Sequence, residues 1–359
     1  MIKFNQDRMD IIKQNYENWW LKKTRRPLIK AVSKNGKIYN GNIPLLMQNC
    51  SHNLSLSACD IIDRLDFELS SLDFHGDAFP YVSFDSFGPG IIAAFVGGEF
   101  KNDTGNVWFE FTKHEELKDL HIEFNPKNKW FNRIKDIYYA GMQKWGGNVL
   151  LGMVDLGGAF DILSSIRGTE NLLYDLYDCP KEVIRVVDEI QQLWYKVFEE
   201  YSSILNQDGF TDWTGIYSAS KYHVIQCDFS YMISEKMFQD IIYNNIKEQS
   251  NYLSRSTYHL DGAGSLKHLD SILSLDSIQT IQWVPGINSP PASEWIELYK
   301  HIKDRNKNIH LIGDLNDLRS IIHHIGGDGI FYDLTPLPMN EYLNQTIQKD
   351  SNEYSKKRF

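Results

Sequence analysis

No apolar run in this 359-residue chain approaches the roughly 18–20 residues that a membrane span needs. The opening segment, MIKFNQDRMDIIKQ, has no apolar core of the kind a secretion signal carries. The four cysteines, Cys50, Cys59, Cys179 and Cys227, form no CxxC pair, so a reduced, cytoplasmic setting is expected. Gly157-Gly158 is not followed by GK[ST], which removes a phosphate-binding loop, and neither GxSxG nor HExxH occurs. Basic residues are outnumbered 37 to 47, for a net charge of −10. A phosphate backbone is repelled by that balance, so nucleic-acid binding is disfavoured.

Aromatic residues, at 13%, are abundant enough for a large core and an apolar-walled pocket. Residues 1–75 read as an N-terminal extension. It has a helix over 5–23, a hairpin over 27–41 turning at Asn35-Gly36, and a second helix over 56–72. From about residue 79 strands and helices alternate. The strand candidates are 81–85, 148–155, 211–217, 223–229, 256–261, 280–284, 308–314 and 329–334. Helix 180–202 repeats Val183, Val187, Ile190, Trp194, Val197 and Tyr201 at helical spacing, with Pro180 in its first turn. Helix 234–249 opens on Ser234 as N-cap, and a further helix covers 291–303. Eight strands alternating with helices predict an α/β protein with a single (β/α)8 TIM barrel over residues 76–348. A doubly wound sheet is the alternative, because the third and fourth strands are close together. The tail, 349–359, is polar.

In such a barrel the strands' C-terminal ends line one mouth. Asp85, Asp155, Trp213, Gln226, Asp228, His259, Asp261, Trp283, Asp314 and Asp333 fall there, an acidic and aromatic set with one histidine. The segment STYHLDGAG (256–264) is the most informative. Side chains alternate along a strand, so His259 and Asp261 share a face just before a glycine-rich turn. Such a pair either orders the turn by bonding to itself or begins a metal site. Trp213 is a candidate pocket wall, Trp283 either walls the pocket and contacts substrate or packs beneath it, and Asp155 and Gln226 are candidate substrate contacts. Asp85 and Asp228 are candidate catalytic carboxylates; a turn role is the plain alternative for Asp85. Cys227 reads as a small core residue, Arg167 as half of an ion pair, and His323-His324 as helix surface.

Three stretches resemble the uroporphyrinogen decarboxylase superfamily: DLGGAFDILSSIRGTENLLYDLYDCPKEV (155–183), STYHLDGAGSLKHLD (256–270) and, more loosely, FDSFGPGIIAAFVGGEF (84–100). The resemblance runs over about residues 79–345 and implies the same barrel. It lies nearer the branch of corrinoid-linked methyltransferases, whose His-x-Cys zinc pair would here be His259-x-Asp261. Their third ligand, a Cys after the last strand, has Asp333 as its nearest replacement, with Cys227 or Asp228 as substitutes. The resemblance therefore implies zinc and a methyl group moved between a small ether, alcohol or thiol and a corrinoid (cobalamin). That corrinoid is expected on a partner protein, since no DxHxxG-type motif is present, and a homodimer is common for such barrels. Asp85 matches the position of a functional carboxylate in the decarboxylases. Their arginine-rich substrate clamp has no counterpart here. Cofactor-free decarboxylation is the alternative activity, and a non-catalytic barrel binding a corrinoid or small ligand is the second.

Overall fold

A computed structural model of the chain describes residues 1–41, 43, 52–102, 107–286 and 288–334. Cys50, residues 335–348 and the tail 349–359 lie outside the described residues. The protein is mixed α/β. Seven strands form one sheet in the order β2-β1-β11-β10-β9-β8-β7. They are β1 (Leu28–Lys34), β2 (Leu72–Gly76), β7 (Tyr222–Gln226), β8 (Arg255–Asp261), β9 (Thr280–Val284), β10 (Asn308–Gly313) and β11 (Ile330–Leu334). Every pairing in this sheet is parallel except β1 with β2. Two short pairs stand apart: β3 (Tyr81–Val82) with β6 (Leu150–Leu151), and β4 (Glu99–Lys101) with β5 (Trp108–Glu110). No closed barrel is traced by backbone pairing among the described residues.

Five of the eight expected strands form nearly where the alternation places them, in the run from β7 to β11. The expected strands 81–85 and 148–155 shrink to the two-residue β3 and β6. Segment 211–217 is not a strand. It is a turn closed by a bridge between Phe210 and Ser218, inside which Asp212 accepts hydrogen bonds from the Thr214 amide (3.0 Å) and hydroxyl (2.6 Å). The local Asp-x-Thr bonding satisfies the backbone without a ladder. The hairpin over 27–41 also does not form. β1 pairs antiparallel with β2, and the Asn35 amide donates to the Ser71 carbonyl (2.9 Å). Helix Ala58–Ser70 returns the chain beside β1, and that longer-range partner displaces the local one. The N-terminal segment is thus not separate from the sheet, since β1 lies parallel to β11.

Alternation divides each strand between two cores. Ile29, Tyr258, Leu260, Ile281, Trp283, Leu311 and Tyr332 face one way, among the helices. Leu28, Tyr222, Val224 and Phe331 face the other. That second core is completed by helix Gln6–Trp20, whose Met9, Ile12, Tyr16, Trp19 and Trp20 are buried against it. Asn5 caps this helix by accepting from the Arg8 amide (2.8 Å). The long helix Pro180–Leu205 packs its Val183, Val187, Ile190, Trp194, Val197 and Tyr201 stripe into the outer core, as the spacing predicts. The expected single helix from Ser234 contains a π-turn, Phe238–Ile242, before continuing as Tyr243–Tyr252. No helix among the described residues is long and apolar enough to cross a membrane.

Candidate metal centre

Strand β8 delivers His259 and Asp261 to the inner face, as the alternation predicts. The third acidic group beside them is Asp228. One donor atom from each of Asp228, His259 and Asp261 lies within 4.8 Å of the other two. Asp228 follows β7 and opens a short 3₁₀ turn, Asp228–Met232. Three bonds fix that turn. The Phe229 amide donates to Asp161 Oδ1 (2.8 Å), tying it to helix Ala159–Arg167. His268 Nε2 pairs with the Ser230 carbonyl (2.9 Å), and Lys267 Nζ donates to the Tyr231 carbonyl (2.9 Å), tying it to the turn after β8. The Tyr231 ring lies so close over that turn that a Cβ on Gly264 would overlap it. The glycines of the 262–264 turn therefore let the two ligand-bearing turns approach.

The donor set suits a divalent cation: one imidazole nitrogen and two carboxylates, more oxygen-rich than a thiolate site. Tetrahedral zinc at its usual bond lengths wants donors roughly 3–4 Å apart, so small side-chain rotations close the group. Asp228 is exposed on one side, yet its carboxyl has protein around most of it. Burial raises its carboxyl above the usual range, His259 opposes that rise, and Asp261 adds to it. A cation relieves that carboxylate crowding.

Asp333, expected as third ligand, is engaged elsewhere. Its Oδ2 lies 2.6 Å from Lys30 Nζ. Lys30 also donates to the Tyr81 hydroxyl (3.1 Å) and the Thr214 carbonyl (3.0 Å). Cys227 is buried in the outer core, and burial, with Asp161 nearby, pushes its thiol well up. It joins no metal-ligand group among the described residues. Trp283 does not wall the pocket. Register pairs it with Leu260, on the outward face, where its ring packs edge-on against Trp295 at 5.0 Å. The inward residue one step earlier is Gln282, whose Oε1 lies 2.6 Å from His259 Nδ1.

Trp213 does reach the site, its ring standing edge-on to His259 at 5.3 Å. Asp155 accepts from the Gly157 amide (2.8 Å), and burial raises its carboxyl to about 6 despite His223 and His259 nearby. Gln226 pairs in register with His259 and lines a cavity of about 290 Å³ together with Asp228. Trp108, Phe109, Ile162 and Asp161 line the same cavity, and no Lys, Arg or His does among the described residues. Asp85 is exposed and opens the turn Asp85–Phe87, its carbonyl accepting from the Gly88 amide (2.7 Å). It is not in the metal-ligand group. Asp314 caps helix Leu315–Ile325, and Arg167 is held by Asp175 (2.7 Å).

The sequence patterns singled out none of Asp161, Gln282, His310 and Lys30 as site residues. Asp161 is half-buried, with its Oδ2 atom enclosed and unpartnered, and desolvation followed by Asp228 raises its carboxyl well above the usual range. Gly157 and Gly158 allow this packing rather than a phosphate: a Cβ on Gly158 would overlap the Gln226 carbonyl oxygen. The signal for Gln282 is present in the strand alternation, since Gln282 and Trp283 must face opposite ways.

A scan against protein-family models finds no match for this chain, and a search of curated proteins finds none either.

Proposed function

We propose that this protein is a metal-dependent methyltransferase, moving a methyl group between a small oxygen- or sulfur-bearing substrate and a corrinoid carried by a separate protein. The observation that carries the metal-dependent part is the convergence of Asp228, His259 and Asp261 from two adjacent strand ends. The methyl and corrinoid parts rest on the resemblance of segments 155–183 and 256–270 to the uroporphyrinogen decarboxylase superfamily. A divalent cation at the triad supplies Lewis acidity to a substrate oxygen or sulfur and lowers its pKa.

The chain's own groups do the rest. The 290 Å³ cavity beside Asp228 holds a compact substrate, with Trp108, Phe109 and Ile162 as its apolar walls. Asp155, raised to about 6, is poised to hold or release a proton near neutral pH. Trp213 shields one side of His259 from water. Asp228 and Asp161 give the cavity an acidic lining that opposes a polycarboxylate such as a tetrapyrrole.

We also read the sheet as an eight-strand barrel of β1, β3, β6 and β7 to β11, in which β1, beside β11, supplies the eighth strand that 211–217 does not form. Support comes from the bonds that span the gap between β1 and β7. The Asp77 amide donates to the Ile29 carbonyl (2.7 Å), Gly152 to Val82 (2.8 Å) and Met153 to Thr211 (2.8 Å). Asp212 Oδ2 accepts from the Val224 amide (2.9 Å).

Elemental analysis of purified protein tests the proposal. The wild type is expected to carry stoichiometric zinc, lost in His259→Ala and in Asp261→Asn, and to demethylate an ether or thioether with cob(I)alamin as acceptor. Turnover in metal-free protein, or turnover unchanged in both variants, overturns it.

A further inference from the structure

Behind the triad, three inner-face residues stand at matched positions on adjacent parallel strands. His259 on β8 is the register partner of Gln282 on β9, and Gln282 is the partner of His310 on β10. Adjacent strands lie about 4.8 Å apart, so these side chains form one rung across the inner face.

The rung is partly bonded. His259 Nδ1 and Gln282 Oε1 lie 2.6 Å apart. Gln282 Nε2 is buried and has no partner, and both ring nitrogens of His310 are buried and unpartnered as well. His310 is 1% exposed and Gln282 wholly buried. An amide oxygen accepts and cannot donate, so a bond at Oε1 requires the proton on His259 Nδ1. Nε2 of the same ring then carries the free lone pair. The reversed amide would donate to Nδ1 and leave a proton on Nε2, which blocks that nitrogen as a ligand. The choice between these states is set by what lies on the other side of the amide. A neutral His310 offers one acceptor nitrogen, so the amide NH₂ belongs on the His310 side. Unpaired buried donors and acceptors are costly. Directing the NH₂ toward His310 reduces that cost by turning one orphan toward another.

We propose that Gln282, backed by His310, is the positioning residue of the metal centre. Its amide oxygen fixes His259 as the Nδ1–H tautomer and presents Nε2 to the cation. This rests on the metal-site reading above. Metal-ligating histidines depend on such partners, whose loss weakens metal affinity about 10–100-fold.

The test combines tautomer and affinity. In ¹⁵N-histidine-labelled, metal-free protein, with His259→Gln used to assign the resonance, His259 is expected to carry its proton on Nδ1. Zinc affinity is then measured by chelator competition in wild type, Gln282→Met, Gln282→Glu and His310→Phe. Thermal melts show which variants stay folded. Gln282→Met is expected to weaken zinc about 10–100-fold. Gln282→Glu, still an acceptor, is expected to keep wild-type affinity, a rescue that a merely structural role would not give. His310→Phe is expected to bind zinc more weakly than wild type, because the amide is no longer held in one orientation. A proton on Nε2 in the wild type, or unchanged zinc affinity in folded Gln282→Met, overturns the proposal. A wild type that takes up no zinc overturns the metal reading instead, while the tautomer measurement decides the role of Gln282 separately.

Discussion

Lys30 Nζ lies 2.6 Å from Asp333 Oδ2, on paired positions of β1 and β11. The pair is mostly buried, and the lysine is further held by Tyr81 and Thr214. Burial raises the Asp333 carboxyl, and Lys30 counters that rise. An ammonium in this position neutralises the one carboxylate of β11. A pair of this kind is costly to break from one side, because the partner is left charged and buried. Lys30→Met is expected to destabilise the fold by about 3–5 kcal/mol, and Lys30→Met with Asp333→Asn by clearly less. Denaturant melts of both single variants and the double variant check this; a double-variant loss equal to the sum of the two single losses would mean the pair is not coupled.

Asp228 and Asp333 give opposite expectations when neutralised. Asp228→Asn removes a carboxylate crowded by Asp261, so the metal-free protein is expected to melt at or above the wild-type temperature. Its zinc affinity is expected to fall by at least about tenfold, as loss of a direct ligand should cost no less than loss of a supporting partner. Asp333→Asn is expected to lower the melting temperature and leave zinc affinity intact. Calorimetry with and without zinc separates the two, since a ligand bound only by the folded state raises its melting temperature.

Gly158→Ala is expected to cost about 1–3 kcal/mol, the usual range for overpacking. The added Cβ meets the Gln226 carbonyl oxygen, a backbone atom that cannot rotate away. Because the same region carries Asp161 and the cavity, the variant is also expected to bind substrate more weakly. A melting temperature equal to wild type would contradict this packing.

His52 provides a pH dependence away from the centre. Its ring packs against Phe87, Phe100 and Trp130, and burial lowers its pKa from 6.5 to about 4. The unfolded chain therefore binds the proton more readily between those values. The folded state is fully favoured by this group above about pH 6.5. That share is lost as pH falls through 6.5 toward 4. His52→Phe is expected to flatten the stability profile in this window and to leave it unchanged at pH 8. Urea melts at pH 4.5, 6 and 8 measure the difference; parallel profiles for the two proteins would contradict the assignment.

Short-range patterns carried much of the architecture. Strands β7 to β11 and the helices Gln6–Trp20, Ala58–Ser70 and Pro180–Leu205 were legible because periodicity and caps act within a few residues. The inward pairing of His259 with Asp261 was legible for the same reason, since strand alternation is local geometry. The exchange of Trp283 for Gln282 was also present in that alternation, since the two neighbours must face opposite ways.

Tertiary structure decided the rest. The Asn35-Gly36 turn signal lost to β2, a partner more than thirty residues away, because a sheet edge takes the strand that packing brings to it. Asp228 rather than Asp333 completes the triad because register placed Lys30 against Asp333, a fact that no local pattern encodes. The sequence by itself determined which residues face inward on each strand, because side-chain direction follows from the backbone. Only the folded sheet determined which inward residues meet, because that depends on the order and register of strands distant in the chain.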